Sequence, residues 1–400
     1  MRILQVTNKV PYPANDGGAI ACMNLTRGFA LLGHEVTVLA MNTKKHHTDL
    51  SEIPEFVKDW AEFRLVGVPA RITFYAAIVN FLFSGKPYNA VRFISKQFAR
   101  ELQRLLTEKN FDIVQLEGLY VCPYIPLIRK YSKAKIVYRA HNIEHEIWDR
   151  SAALSKGLKK FYLKVLTRRI RAFEKSFLNQ YDLLVPITER DGMLLNKMGN
   201  SRPAHVSPTG IDSQVLIPHA KNLEHPSLFH IGSLEWAPNQ EGLLWFVEKC
   251  WPKILKKFPE LKFYIAGRKA PEWLVRRFRA PNIVFMGEIP DAYEFMNSKS
   301  IMVVPLFSGS GMRIKIIEGM ALGKPIVSTP IGTEGIATQS GKNILIADNE
   351  QEFISDIGRL ITDKELFHNI GRNAIEYIQE KFDNLALAGA LTGFYKKHIE

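Results

Sequence analysis

Arg313, Lys315 and Glu318 follow directly on a glycine-containing turn at residues 308–311, in the stretch SGSGMRIKIIEGMALGKPIVST. Two cations and one carboxylate at the mouth of such a turn suit a phosphorylated ligand. The apolar spacing of Ile314, Ile317 and Ala321 predicts a helix that starts here and stops at Gly323, and the first N–H groups of a helix are unpaired and partly positive. A diphosphate is stabilised at that position even without side chains, and Arg313 and Lys315 would splay around it. Lys315 and Glu318, three apart, share a helix face. A carboxylate there is badly placed for phosphate but can accept two hydrogen bonds from a ribose diol. The same residues also fit a capped surface helix with a weak i,i+3 ion pair, and spacing alone leaves both readings open. Neither G-x-x-x-x-G-K-[ST] nor a G-x-G-x-x-G following a strand occurs in the chain.

In the first half, Gly17 and Gly18 lie between a strand-like run and the helical pattern AIACMNLTRGFALLG, where a missing Cβ lets the backbone approach a ligand or simply makes a tight turn. His141 ends the run KIVYRAH and Glu117 ends DIVQLEG. Arg139, Glu117 and Glu144 also fit a polar network at a sheet edge.

The elements that must position these groups are legible as alternation. RILQVTN, EVTVLAM, FRLVGVP, DIVQLEG, KIVYRAH and DLLVPIT recur with helical intervals, and the pattern restarts with SLFHIGS, LKFYIAG, NIVFMGE, SIMVVPLF, KPIVST and NILIADN. Strand and helix in turn imply parallel sheets covered on both faces, so the fold class is α/β with two doubly wound, Rossmann-like domains. The expected division is 1–213, a linker at 214–226, a second domain at 227–385 and a terminal helix at 386–400 that packs back on the first domain. Ligands bind outside the carboxyl ends of parallel strands, so the expected active site is the cleft between the two domains.

Composition narrows the class. The chain of 400 residues is 46% hydrophobic with a net charge of +13, and residues 1–213 carry 31 Lys and Arg against 19 Asp and Glu while the rest carries 22 against 21. The excess at the N-terminal side argues for an anionic neighbour there. The segment LKKFYLKVLTRRIRAFEKSF sets Tyr162, Leu166, Ile170, Phe173 and Phe177 at helical spacing among seven cations. It fits a core-facing helix with a solvated basic face, or a helix on an anionic membrane. The longest apolar run, ITFYAAIVNFLF at 72–83, falls short of the roughly 20 residues that span a bilayer and is interrupted by Asn80. No signal-peptide pattern opens the sequence, which predicts a cytoplasmic protein, possible peripheral contact with a membrane aside. Cys22, Cys122 and Cys250 show no metal or disulfide spacing and are expected to be buried thiols.

Across its whole length the chain resembles the retaining glycosyltransferases of family 4, which have the GT-B fold. The resemblance is carried by GMRIKIIEGMALGKPIVST with PIGTEGI, by YPANDGGAIACMNLTRGFALLGHEVTVLA, by YRAHNIEHEIWDR and SPTGID, and by FHIGSLEWAPNQEGLLWF. It implies transfer of a sugar from a nucleoside diphosphate to a hydroxyl of a glycan or lipid-linked glycan, with retention. It also implies that the Gly17–Gly18 loop faces the donor phosphate, that His141 hydrogen-bonds the donor sugar, and that Asp16, Glu117, Arg139 and Asn142 are candidates for sugar or acceptor contact. Backbone N–H groups of Ser310, Gly311 and Met312 would approach sugar or phosphate, and main-chain atoms near Ile289 would meet the base.

Departures sharpen the expectation. The family commonly has two glutamates spaced E-x7-E; Glu318 matches the second, and Ser310 stands at the first. An Arg and a Lys that hold the diphosphate open many donor domains, where this chain has Ser233 and residues 238–241. Arg313 and Lys315 therefore take over the diphosphate, in a G-x-R-x-K-x-x-E pattern that resembles a subgroup of bacterial exopolysaccharide assembly. No Asp-x-Asp occurs, so no metal and no cofactor besides the donor is expected. Rival readings are a nucleotide-sugar epimerase of the same fold, a catalytically decayed nucleotide-sugar-binding protein, and, least favoured, a nucleic-acid binder without a recognised module.

Overall fold

The computed structural model describes every residue except 71, 72, 154, 213, 214, 220, 310 and 400. Met1–Gly210 and the segment from Asn384 form one compact unit, and Ile211–Asp383 form a second. In the first, β1 (Arg2–Thr7), β2 (Glu35–Asn42), β3 (Glu62–Gly67), β4 (Ile113–Glu117), β5 (Lys135–Ala140) and β6 (Leu183–Pro186) make one sheet in the order β3-β2-β1-β4-β5-β6. In the second, β7 (Glu224–Ile231), β8 (Phe263–Ala266), β9 (Ile283–Gly287), β10 (Lys299–Val304), β11 (Ile326–Ser328) and β12 (Leu345–Ile346) follow the order β12-β11-β10-β7-β8-β9. The pairings in both sheets are parallel.

Continuous apolar runs suit strands covered on both faces. Alternate residues enter separate cores: Leu4, Val6, Val114, Leu116, Ile136 and Tyr138 pack on one side of the first sheet, and Ile3, Ile113 and Val137 on the other. The second sheet packs Leu228, Phe263, Ile265, Ile301 and Val303 around Phe246, Trp251 and Phe353.

Chain order reverses once in each sheet, between β1 and β4 and between β10 and β7. Those two places are the switch points where doubly wound sheets bind ligands.

Several boundaries differ from the expected ones. β7 begins at Glu224, inside the expected 214–226 linker, because EHPS continues the extended run and Lys299 aligns with Glu224 in the ladder. β10 ends at Val304, before the Phe307 that the apolar run suggested. The terminal helix starts at Asn384 and lies on the helix Gly17–Leu31, with Ala388, Leu391 and Tyr395 buried. The basic helix Gly157–Phe177 turns Leu166 and Ile170 into the core, so its apolar stripe packs inward and its basic face is solvated. All three cysteines are buried. Among the described residues no helix is long and apolar enough to cross a membrane.

Candidate functional site

At the switch point of the second unit, the loops after β7 and β10 converge on Lys315. The helix Ile314–Ala321 starts just after Arg313, so Arg313 occupies the cap position and Lys315 the first turn. Gly323 closes it in the left-handed region, with φ of +65°. Lys315 does not pair with Glu318. Its Nζ donates to Asn239 Oδ1 at 2.8 Å and lies 3.3 Å from His230 Nε2.

Both partners are held. His230 is buried near the end of β7, and its Nδ1 bonds the Val303 carbonyl of β10 at 2.8 Å, which leaves Nε2 as an acceptor toward Lys315. Asn239, in the helix Ala237–Trp245, donates to the Ser233 carbonyl at 2.8 Å. A Cβ on Gly232 would meet Asn239 Nδ2 at 3.0 Å and Lys315 Nζ at 3.1 Å, so the absence of a side chain makes room for the cluster. Ser233 Oγ is sheltered and has no hydrogen-bond partner among the described residues.

Burial, and then the nearby Arg313, push Lys315 down to about 7. Burial drives His230 well below its ordinary range, helped by Lys315. The Arg313 guanidinium is buried, lies 5.6 Å over the Trp236 ring and donates to the Gly311 carbonyl. Gly311 has φ of +80°, and Met312 is buried between this loop and the helix. Ser308 donates to Glu241 at 2.8 Å.

Glu318 faces elsewhere, accepting from Tyr293 Oη at 3.2 Å. Tyr293 stands on a helix, Ala292–Ser298, capped by Asp291. Burial raises the Glu318 carboxyl to about 7 against the opposing Tyr293 hydrogen bond. Ile289 lies half-buried after the edge strand β9, in the loop that leads to Tyr293. The expectation on Ser310 falls outside the described residues.

At the first unit's switch point, Asp16 caps the helix that Gly17 and Gly18 open, accepting from Ala19 N at 3.0 Å and pairing with Lys9. Burial would raise the Asp16 carboxyl, but Lys9 dominates and holds it below the usual carboxylate range. His141 Nε2 lies 2.5 Å from Glu117 Oε2, and Asn142 follows it in the loop before Glu144.

Glu117 and Arg139 are assigned differently from the expected sugar or acceptor contacts. Both are buried: Arg139 donates to Glu117 at 3.3 Å and to the Ala21 carbonyl at 3.1 Å, while Gln5 and Gln115 donate to the other carboxylate oxygen. Burial alone would raise the Glu117 carboxyl, but Arg139 and His141 bring it down to about 2. Both of its oxygens are thus engaged inside the protein, one of them by His141.

His230, Asn239, Trp236, Tyr293 and Lys9 were missed from sequence. Asn239 sits in the stretch where the family commonly has a Lys, and His230 stands one residue before the end of β7 beside the switch point; those two signals were present. A concavity of about 680 Å³ lined by Asn42, Arg64, Arg100 and Arg104 lies beside β2 and β3, and none of its lining residues belongs to either cluster.

Residues 15–215 match the family model described as Glycosyltransferase Family 4, and residues 225–363 match that of Glycosyl transferases group 1. A 44.6 kDa protein in the cps region of Klebsiella pneumoniae is 24% identical over 401 residues, 96% of this chain and 97% of that protein. Among solved structures, sucrose-phosphate synthase from Thermosynechococcus elongatus superposes with a TM-score of 0.75 at 14% identity, covering 99% of each chain. HepE of Anabaena, crystallised with UDP, gives 0.72 at 12% identity over 99% of this chain and 100% of that one. At such identities the structural likenesses speak for the fold, and that fold is GT-B.

Proposed function

The chain belongs to glycosyltransferase family 4, and from that premise we propose that it moves a sugar from a nucleoside diphosphate to a hydroxyl of a glycan or lipid-linked glycan, with retention and without a metal ion, in the synthesis of a bacterial surface polysaccharide at the cytoplasmic side of the membrane. The observation that carries the donor assignment is the Lys315 cluster. A half-buried Lys315 ammonium whose side-chain partners are an uncharged histidine and an asparagine, at a helix N-terminus and a switch point, is placed to meet a diphosphate. Lys315, with Arg313 and the helix N-terminus, would stabilise the charge that develops on the departing phosphate. Ser233 Oγ and the N–H groups of Gly311 and Met312 are further donors toward it. Glu318 takes the ribose, and main-chain atoms at Ile289 meet the base.

His141, oriented by Glu117, and the Gly17–Gly18 loop with Asp16 and Asn142 belong to the sugar and acceptor side. With no pair of free carboxylates assigned, the acceptor attacks on the face the phosphate leaves, and that phosphate helps to take its proton. The solved relatives crystallised with UDP and UDP-glucose favour a uridine donor as the first to try. The cps-region relative favours a polysaccharide acceptor.

The test is a thermal-shift series with UDP-, GDP- and ADP-sugars on the wild type and on Lys315→Met. One donor should raise the wild-type melting temperature, since a ligand that binds only the folded state stabilises it by about 2.7 kcal/mol at a hundredfold excess over Kd. Lys315→Met should lose that shift while still melting cooperatively. An equal shift in both proteins would remove Lys315 from the donor site. Mass and NMR analysis of products then separates transfer to an acceptor from epimerisation of the donor.

A further inference from the structure

We infer that the first unit docks on an anionic lipid bilayer through the helix Phe74–Phe83, with the exposed face of the helix Gly157–Phe177 as its electrostatic border. Tyr75, Ile78, Val79, Leu82 and Phe83 recur at i, i+3, i+4, i+7 and i+8, the spacing of a single helix face. A water-soluble fold turns such a stripe to its core. Here it points outward, with Tyr75, Leu82 and Phe83 exposed by 80%, 65% and 83%.

The other face is the one that meets protein. Arg169 donates to the carbonyls of Asn80 at 3.3 Å and Phe81 at 2.7 Å, and its guanidinium lies 5.1 Å over the Phe81 ring. Phe81 also packs 5.4 Å from Tyr162. Side chains of the basic helix thus pin the short helix with its apolar stripe turned away from the core.

Charge decides what covers it. The helix Gly157–Phe177 holds seven Lys and Arg against one Glu, and that Glu174 is buried and bonded to His145. Lys159, Lys164, Arg168 and Arg171 are exposed, and Leu158 and Phe161 add apolar tips at 88% and 62%. An apolar protein groove would satisfy the stripe and leave the cations idle. An anionic bilayer takes both, with rings and aliphatic tips at the headgroup boundary and Lys and Arg at the phosphates. At 10 residues the helix is too short to span a core about 30 Å thick, so it lies in the interface. None of these residues belongs to the Lys315 or His141 clusters, so the inference stands apart from the transfer reading.

Full-length protein is sedimented with vesicles of phosphatidylcholine alone or mixed with about 30% phosphatidylglycerol. Binding is expected on the mixed vesicles, weakening as salt rises. Leu82→Asp with Phe83→Asp should cut partitioning at least about tenfold. Lys159→Glu with Lys164→Glu should cut it at least about thirtyfold. All four side chains are exposed, so melting temperatures and donor-induced shifts should stay as in the wild type, which separates lost docking from lost folding. No binding to anionic vesicles, or binding that survives both pairs of substitutions, overturns the inference. A dimer abolished by Leu82→Asp, without vesicle binding, would give the face to a second copy instead.

Discussion

Burial disfavours the charged form of both Lys315 and Glu318, lowering the one and raising the other to about 7, and this gives the site a pH signature. Lys315 has an ordinary value of 10.5 and is held near 7, so between those values the unfolded chain binds the extra proton. Ligand-free stability should therefore rise as pH climbs from 7 toward 10.5, and Lys315→Met should flatten that rise in thermal melts. A diphosphate favours the charged ammonium, so its binding takes up a proton above pH 7 and affinity should fall there by up to about tenfold per unit. Glu318, raised to about 7, is protonated below that point and loses the capacity to accept both hydrogen bonds of a diol. Nucleoside diphosphate affinity, measured by calorimetry, should thus peak near pH 7, with Glu318→Gln removing the acid limb. A flat profile in the wild type would refute the shared assignment. The sequence placed these two residues at one turn, but not their partners. Their three-residue spacing left a mutual pair and separate ligand contacts both open; the switch point offered Lys315 a histidine and an asparagine, and the helix Ala292–Ser298 offered Glu318 a phenol.

At the scale of elements, the twelve strands were legible because each is a short apolar run bounded by turn residues, and burial on both faces enforces that pattern. What escaped was tertiary pairing. The apolar run at 72–83 read as a failed membrane span, since no local rule says which face of a helix another element will hold. Nor does the sequence announce that Glu117 would be enclosed: DIVQLEG looks like any strand with a polar end, and Gln5 and Arg139 reach it from the neighbouring strands β1 and β5, joined by Gln115 of its own strand. The contact between Gly17–Leu31 and Asn384–Ile399 is a clear case, because it depends on a glycine. A Cβ on Gly28 would come within 2.7 Å of Ala388 Cβ, so the helices pack this closely only because position 28 has no side chain. Gly28→Val should cost about 1–3 kcal/mol through overpacking and lower the melting temperature by several degrees. A melting curve equal to the wild type would show that the two helices can separate freely.

For the whole molecule, the chain path makes the two units unequal. The second unit is one continuous stretch, Ile211–Asp383, whose sheet, core and Lys315 cluster are all drawn from its own residues. The first needs residues from both ends of the chain. Without the terminal helix it loses Leu391 and Tyr395 from its core, and Tyr395 Oη no longer donates to Gln115 Oε1, at 2.6 Å, behind the Glu117 network. Burying one leucine is worth roughly 1.5–3 kcal/mol, against a total stability of about 5–15 kcal/mol for a domain, so losing this helix consumes a large share. A fragment of 211–383 should therefore fold alone, melt cooperatively and retain the nucleoside diphosphate shift. A fragment of 1–210 should melt far lower or aggregate, and joining 384–400 to it through a flexible linker should restore cooperative melting. Circular dichroism on the three fragments decides the matter. If 1–210 melted like the joined fragment, the terminal helix would be an ornament on the first unit and not part of its core.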